Sequence, residues 1–441
     1  MIAWFSNTRT LAHLTLIDAS RQRLWLLFLG AVALLVAVAP GLSAVDETAR
    51  LKLAVVAITS AIGFVVVLLA ILVAAMALRR DLDARIGYLL FAKPLRMSAY
   101  LTGRWLGVQL GLLAGIVLLS LVGTGTIAWQ FGSTPGMRAL SHPVAWEQVG
   151  AFGQVTAIDE RRTRTTLSGG PGNGVRWRFS NLPTTDLGPE GMELLLKVGI
   201  RSYDPDNPLF DCLGQVTALP TGAGTDVAPR ILTIDPTSPY GHTRDGMPVP
   251  AGQVVLRDRD DTRSDLAQDY LRLRVPREAI SADGGVMIQL TRLEARSAVV
   301  VHRDTSTLLA IPGGTFLSNL VRGGLVVLAI AGMLTAFTLV IAAITNLGVA
   351  TLGGLTLYFA GSATAAMREV AAASDTSTAL RRVVSLALDV VPDFDRFTIA
   401  ARLAASESVG WLMVAQAWGY YGIYTVIFLT VAWVAMRRKE L

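Results

Sequence analysis

A single cysteine, Cys212, stands in 441 residues, so the chain can form neither an internal disulfide nor a cysteine-based metal site. Histidine is nearly as scarce, and His13, His142, His242 and His302 are scattered without ligand spacing. Lysine occurs only at positions 52, 93, 197 and 439. Arginine therefore carries almost all the positive charge, a composition bias rather than a mechanism. Charged residues make up only 16% of the chain, against about 25% in an ordinary soluble domain, and mean hydropathy is +0.50. These values exclude disordered, collagen-like and coiled-coil classes and argue against a soluble multidomain enzyme.

Reaction motifs are also missing. The chain has no phosphate-cradling GxxxxGK loop, no GxSxG elbow and no HExxH helix. Gly169–Gly174 is glycine-rich but lacks the lysine and the following apolar helix, and reads as an ordinary loop. Asp258, Asp260 and Asp261 have calcium-like spacing, but Arg257, Arg259 and Arg263 interleave with them and compete for the carboxylates. Asp393 and Asp395, two residues apart, are too generic a pair to assign to catalysis.

What the chain does have is long uncharged apolar runs. A spanning helix needs about 20 apolar residues, and six runs qualify: Leu24–Val45, Leu53–Leu78, Trp105–Phe131, Gly323–Thr345, Leu347–Met367 and Val409–Met436. The fourth and fifth are parted only by a tight turn at Asn346, before Gly348. Trp25, Trp105, Trp129, Trp411 and Trp433 lie near span ends, where an aromatic belt places them. Leu42-Ser43-Ala44 resembles a signal cleavage site. The run before it is longer than a signal core and follows about twenty residues, so the first span is expected to be retained. Leu11, Leu14 and Ile17, with Trp4 and Phe5 as anchors, read as an interfacial helix on the inner leaflet.

Basic residues orient the spans. With the N-terminus inside, segments 1–23, 79–104 and 437–441 carry 12 basic residues. Arg368, Arg381, Arg382, Arg396 and Arg402 in the outer loop 367–410 run against this rule. The insertion of about 185 residues between the third and fourth spans, Gly132–Phe316, holds 19 basic and 21 acidic residues. The net charge of +6 is thus an asymmetry across a membrane, not the clustered basic face of a nucleic-acid binder.

The insertion is rich in Gly, Pro, Asp and Arg. Val175–Phe179 and Leu271–Val275 alternate apolar and charged side chains as half-buried strands do. Further strands are expected at Gln148–Ile158, Leu194–Tyr203, Gln215–Leu219, Arg230–Ile234, Gln253–Arg257, Val286–Leu293 and Ala298–His302. Short strands between turn clusters predict a β-sandwich, outside the membrane in this orientation. Trp146 and Trp177 are open to two roles, stacking on a sugar or packing in the core. The expected architecture is a six-helix membrane bundle with an inserted extracytoplasmic all-β sandwich: residues 1–131, 132–316 and 317–441.

After the second span, Arg79–Leu90 places Leu82, Ile86, Leu89 and Leu90 on one face of a short amphipathic helix. Asp81 and Asp83 fall in its first turn, and Pro94 ends it. Such a helix at the inner face either docks into a groove on a cytosolic protein or lies at the interface. On the third span, Gly107, Gly111 and Gly115 form a small-residue repeat that allows close helix approach, within one bundle or at a dimer seam.

The run Arg80-Asp81-Leu82-Asp83, then Leu89-Leu90-Phe91-Ala92-Lys93-Pro94, then Gly103-Arg104 and Gly107, resembles the coupling segment of type-two ABC exporter permeases. The chain departs from the family's pattern in having arginine rather than lysine at Arg104. The resemblance covers the spans and not the β insertion. It implies that residues 79–95, with Arg80, Asp81, Leu82, Asp83, Ile86, Leu89, Leu90 and Pro94, form a coupling helix on a separate ATP-binding cassette subunit. ATP and magnesium would then belong to that partner, with no cofactor, metal or catalytic residue in this chain. A second permease half, identical or not, is also implied. Loop 367–410, with Pro392, Phe394 and Phe397, is similar to the family's gate helices; an amphipathic helix resting on the outer leaflet is the plainer alternative. The β domain is left an envelope protein or ligand as its partner. A membrane-anchored scaffold whose β domain is the working part is the competing function, and an intramembrane enzyme finds few polar groups in the spans to work with.

Overall fold

The computed structural model describes residues 2–21, 30, 47–83, 96–159, 164–183, 192–202, 212–221, 228–234, 247, 249–250, 252–256, 271–294, 297–302, 306–364, 366–368 and 391–437. The chain divides into two compact units, Met1–Met137 with Gly314–Leu441, and Arg138–Gly313. The boundaries differ from the expected 132 and 316 by a few residues.

The helical unit contains α1 (Ile2–Arg21), α2 (Glu47–Asp83), α3 (Met97–Phe131), α4 (Phe316–Ile344), α5 (Leu347–Ser362), α6 (Ile399–Ala404) and α7 (Trp411–Arg437). Four stretches among the described residues are long and apolar enough to cross a membrane: Ala49–Asp81, Met97–Phe131, Phe316–Ile344 and Trp411–Arg437. They correspond to the second, third, fourth and sixth runs of the sequence. The first run lies outside the described residues except for Gly30. In the fifth, α5 has 16 residues, about 24 Å of helix; after a turn at Ala363, helical residues resume at Thr364 and at 366–368. The turn before it is as tight as its sequence implies, because the Asn346 side chain caps α5 by accepting from the Val349 amide at 3.0 Å.

Two apolar clusters mark opposite ends of this unit. Leu11 of α1 joins Leu78, Tyr100, Leu339, Ala432 and Met436 at one end. Val55, Ile127, Phe316, Leu320 and Val414 meet at the other. The chain leaves α3 and re-enters α4 at the end opposite α1. Large apolar side chains such as Leu110, Leu121, Ile423 and Val426 remain exposed on the helix faces, the surface expected of helices whose solvent is hydrocarbon.

Among the described residues every strand pairing in the second unit is antiparallel. Strands β1 (Arg138–Ser141), β14 (Thr307–Pro312), β6 (Met192–Leu196) and β11 (Leu271–Val275) form one sheet in that order. A second sheet runs β10 (Val254–Leu256), β8 (Cys212–Pro220), β12 (Val286–Arg292), β5 (Gly174–Phe179), β2 (Ala145–Val149), β3 (Val155–Ala157), with β9 (Arg230–Ile231) paired to β8. A third joins β4 (Arg164–Leu167), β13 (Ser297–His302) and β7 (Gly199–Ser202). One core serves all three sheets, with Trp177, Leu194, Ile288 and Val299 in the same cluster. Trp177 is fully buried and Trp146 is 4% exposed, which makes both core residues and removes the sugar-stacking role. Cys212 is buried as well.

Two expected strands divide. The run 148–158 becomes a hairpin whose turn holds Gly153 at φ 79°, a conformation glycine adopts without strain. The run 194–203 splits into β6 and β7, which enter different sheets. Strands β1, β4 and β14 were not signalled, and β14 shows why. Its Thr307-Leu308-Leu309-Ala310 run is buried at every position, so it has no alternation to detect. The glycine-rich loop is tied down by Arg292, which is fully buried and donates to the carbonyls of Leu167 (3.2 Å), Gly169 (3.1 Å) and Glu294 (3.0 Å). Carbonyls converging on a guanidinium present the wrong polarity for a phosphate.

Trp177→Ala is expected to destabilise the β unit by about 3–5 kcal/mol, read as a lowered thermal unfolding midpoint. Phe152→Ser, at a side chain 93% exposed, is expected to stay within about 0.5 kcal/mol of wild type.

Candidate functional site

The sequence-derived site begins at Arg80, and here the local structure differs from expectation. Arg80, Asp81, Leu82 and Asp83 do not open a new helix; they complete the last turn of α2. No Pro or Gly separates them from the apolar run before them, so nothing stops the helix at Leu78. A carboxylate in a C-terminal turn faces the negative pole of the helix dipole. Asp81 is only 7% exposed there, so it requires a cation.

Arg104 supplies it. Its Nη2 donates to Asp81 Oδ2, and Tyr100 donates its hydroxyl to the same oxygen at 2.5 Å. Arg104 Nη1 reaches α1, donating to Asp18 Oδ2 and to Thr15 Oγ1, each at 3.2 Å. The guanidinium lies 5.8 Å from the Tyr100 ring centroid. Arg104 is 6% exposed and Tyr100 2%, so this is a shielded junction of three helices.

Glycines make the junction possible. A Cβ at Gly103 would stand 2.6 Å from Leu11 Cβ, and one at Gly107 would stand 2.5 Å from Thr15 Cβ. Neither distance is tolerated by real atoms, so α1 sits on a glycine track of α3. Gly111 continues the track, 3.3 Å from Leu16 Cδ2 by the same construction. The repeat found in the sequence therefore seats α1 within one chain. Gly115 is buried further along α3. Ile86, Leu89, Leu90 and Pro94 lie outside the described residues.

A second polar cluster forms at the opposite end around Asp393. Thr364 Oγ1 donates to Asp393 Oδ1 at 2.8 Å and Arg368 Nη2 to Oδ2 at 2.5 Å. The Asp395 amide also donates to Oδ1, at 3.0 Å. Tyr421 donates its hydroxyl to the Asp393 carbonyl at 2.8 Å. Asp393 and Asp395 are thus a backbone turn rather than an acid pair. Pro392 is buried. Phe394 stacks on Tyr358 at 6.0 Å, and Phe397 meets Tyr421 edge-on at 6.0 Å. Phe394, Ile399 and Leu403 all join the core cluster of the bundle. The described part of the loop therefore packs against the helices through these residues, and residues 369–390 lie outside the described residues.

Burial opposes ionisation of Asp393, yet hydrogen bonds from Arg368 and Thr364 and the Arg368 charge hold its carboxyl below the usual carboxylate range. Among the described residues no three His, Cys, Asp or Glu side chains cluster to hold a metal. No family model matches the chain, and neither a curated protein nor a solved structure is significantly similar to it. The arrangement binds and positions helices.

In the sequence Arg104 stands only as a basic position beside Gly103; its pairing with Asp81 appears in the fold. The signal available was a buried-side arginine directly beside a glycine track. Asp18 carried no signal at all.

Arg104→Met leaves Asp81 buried without its cation and is expected to cost about 3–5 kcal/mol, while Arg104→Met with Asp81→Leu recovers most of the loss. Thermal unfolding of the two variants and wild type in one detergent measures this. For Asp393, the depressed value places its stabilisation above the unfolded-state range near pH 4, with loss as pH falls through the folded value. The unfolding midpoint of wild type is accordingly expected to drop on acidification more than that of Asp393→Asn.

Proposed function

We propose that this chain is the membrane subunit of an ATP-driven ABC exporter. A separate ATP-binding cassette subunit hydrolyses ATP, and this chain turns closure of that subunit into export or into mechanical work outside the cytoplasmic membrane. The observation that carries the reading is the Arg104–Asp81 junction. It sits where α2 leads into residues 84–95, the segment that resembles a coupling helix, and it locks α1, α2 and α3 together at that point. A push received by Leu82, Ile86, Leu89 and Leu90 then moves three helices as one body. A shielded ion pair has few alternative partners, so it transmits displacement rather than absorbing it.

In this reading α1, residues 84–95 and the C-terminus lie in the cytoplasm, and the β unit and loop 367–410 lie outside. Three of the five arginines of that loop have local partners among the described residues. Arg368 pairs with Asp393 at 2.5 Å, Arg396 lies 5.0 Å from the Tyr420 ring centroid, and Arg402 stands 3.9 Å from Glu407. Two permease halves form the path, ATP and magnesium stay on the cassette, and the β unit meets an envelope protein or ligand. Binding of ATP does this work by stabilising one of two states of the assembly.

Leu89→Asp with Leu90→Asp is expected to abolish co-purification of a cassette ATPase with the full-length chain, while the unfolding midpoint of the β unit stays unchanged. Unchanged co-purification, or no ATPase with wild type, overturns the proposal in favour of a membrane-anchored scaffold.

A further inference from the structure

Between α3, α4 and α7 lies a groove of about 280 Å3, whose walls include Trp105, Leu106, Ala329, Trp418, Gly422 and Val426. Four lining residues carry a hydrogen-bonding group, and each directs it into a helix backbone. Thr102 Oγ1 donates to the Ser98 carbonyl at 2.7 Å, and Trp105 Nε1 to Gly332 at 2.8 Å. Trp418 Nε1 donates to Leu325 at 3.0 Å, and Thr425 Oγ1 to Tyr421 at 2.9 Å. The walls therefore offer an occupant no donor. A buried water needs two to four polar partners, which hydrocarbon does not. At roughly 30 Å3 for a water-sized group, the space takes about nine methylenes, much of one acyl chain.

Charge identifies the rest of the ligand. Arg437 lies eleven residues after Val426 on α7, three helical turns, so both share one face about 16 Å apart. An extended acyl chain covers that distance. Arg437 is exposed, and its guanidinium is 5.6 Å from the Trp433 ring centroid. An apolar slot in line with an exposed guanidinium at the end of α7 matches a lipid with a negative headgroup.

We infer that an anionic membrane phospholipid occupies this site, one acyl chain in the groove and its phosphate at Arg437. The inference depends on α3, α4 and α7 crossing a membrane and not on the ABC reading.

The test uses full-length protein reconstituted in vesicles of phosphatidylglycerol and phosphatidylethanolamine in equal parts. Lipid retained after graded delipidation is counted by mass spectrometry, and a photoactivatable phosphatidylglycerol maps the contact. A side chain added at Gly422 meets open space, so Gly422→Leu fills the groove without moving backbone. Wild type is expected to retain phosphatidylglycerol preferentially and to be labelled on α3 and α7. Gly422→Leu is expected to lose both. Arg437→Gln should keep the acyl label but lower the headgroup preference roughly fivefold, the weight of one basic residue at an anionic surface. Equal retention of the two phospholipids, retention of detergent alone, or unchanged retention in a folded Gly422→Leu overturns the inference. The wild-type label map decides independently of any variant, because labelling confined to other helices also overturns it.

Discussion

A carboxylate buried in the final turn of a helix faces both the negative end of the backbone dipole and a medium that cannot solvate it. Asp81 is in that position, and much of the α1 end of the helical unit follows from it. Arg104 must lie within reach, which fixes the register of α3 against α2. Tyr100, one turn earlier on α3, completes the acceptor's partners with its hydroxyl. The remaining guanidinium nitrogen then has to be satisfied, and α1 brings Thr15 and Asp18 to it. Only a glycine track lets α1 approach so closely. One ionic requirement thus organises three helices.

The opposite end solves the same problem with backbone as well as side chains. Asp393 takes hydrogen bonds from Thr364, Arg368 and the Asp395 amide, while its carbonyl accepts from Tyr421. Arg322 donates to the Val409 carbonyl at 3.3 Å and lies 5.0 Å from the Trp411 ring centroid. Among the described residues Arg322, Arg368, Arg396 and Arg402 each lie beside a carbonyl, a carboxylate or a ring.

Legibility differed by element. Long uncharged runs announced α2, α3, α4 and α7 because burial in hydrocarbon leaves an unmistakable composition. Alternation announced β5, β8, β11 and β12, which each bury one face. Strand β14 was silent because its first four residues are all buried and show no alternation, and β6 and β7 merged because one run of residues crosses from sheet to sheet. Residues 79–83 continue α2 rather than start a helix: charge marks the end of an apolar run, not the end of a helix. In the candidate site, Asp81 and Gly107 were visible from motif and spacing. The joining of Asp18 to Arg104, 86 residues apart, was not.

Composition and periodicity by themselves determined that this is a chain of membrane-type helices interrupted by a β unit. Those properties are local: each residue's preference for hydrocarbon, water or a pleated surface is expressed wherever the fold puts it. Tertiary structure alone decided which charge meets which. It seated α1 on the glycines of α3, turned Trp146 and Trp177 inward, and gave Arg292 to the carbonyls of a glycine-rich loop. Pairing energies fall steeply with distance and depend on the local dielectric, and neither quantity is written in the order of residues along a chain.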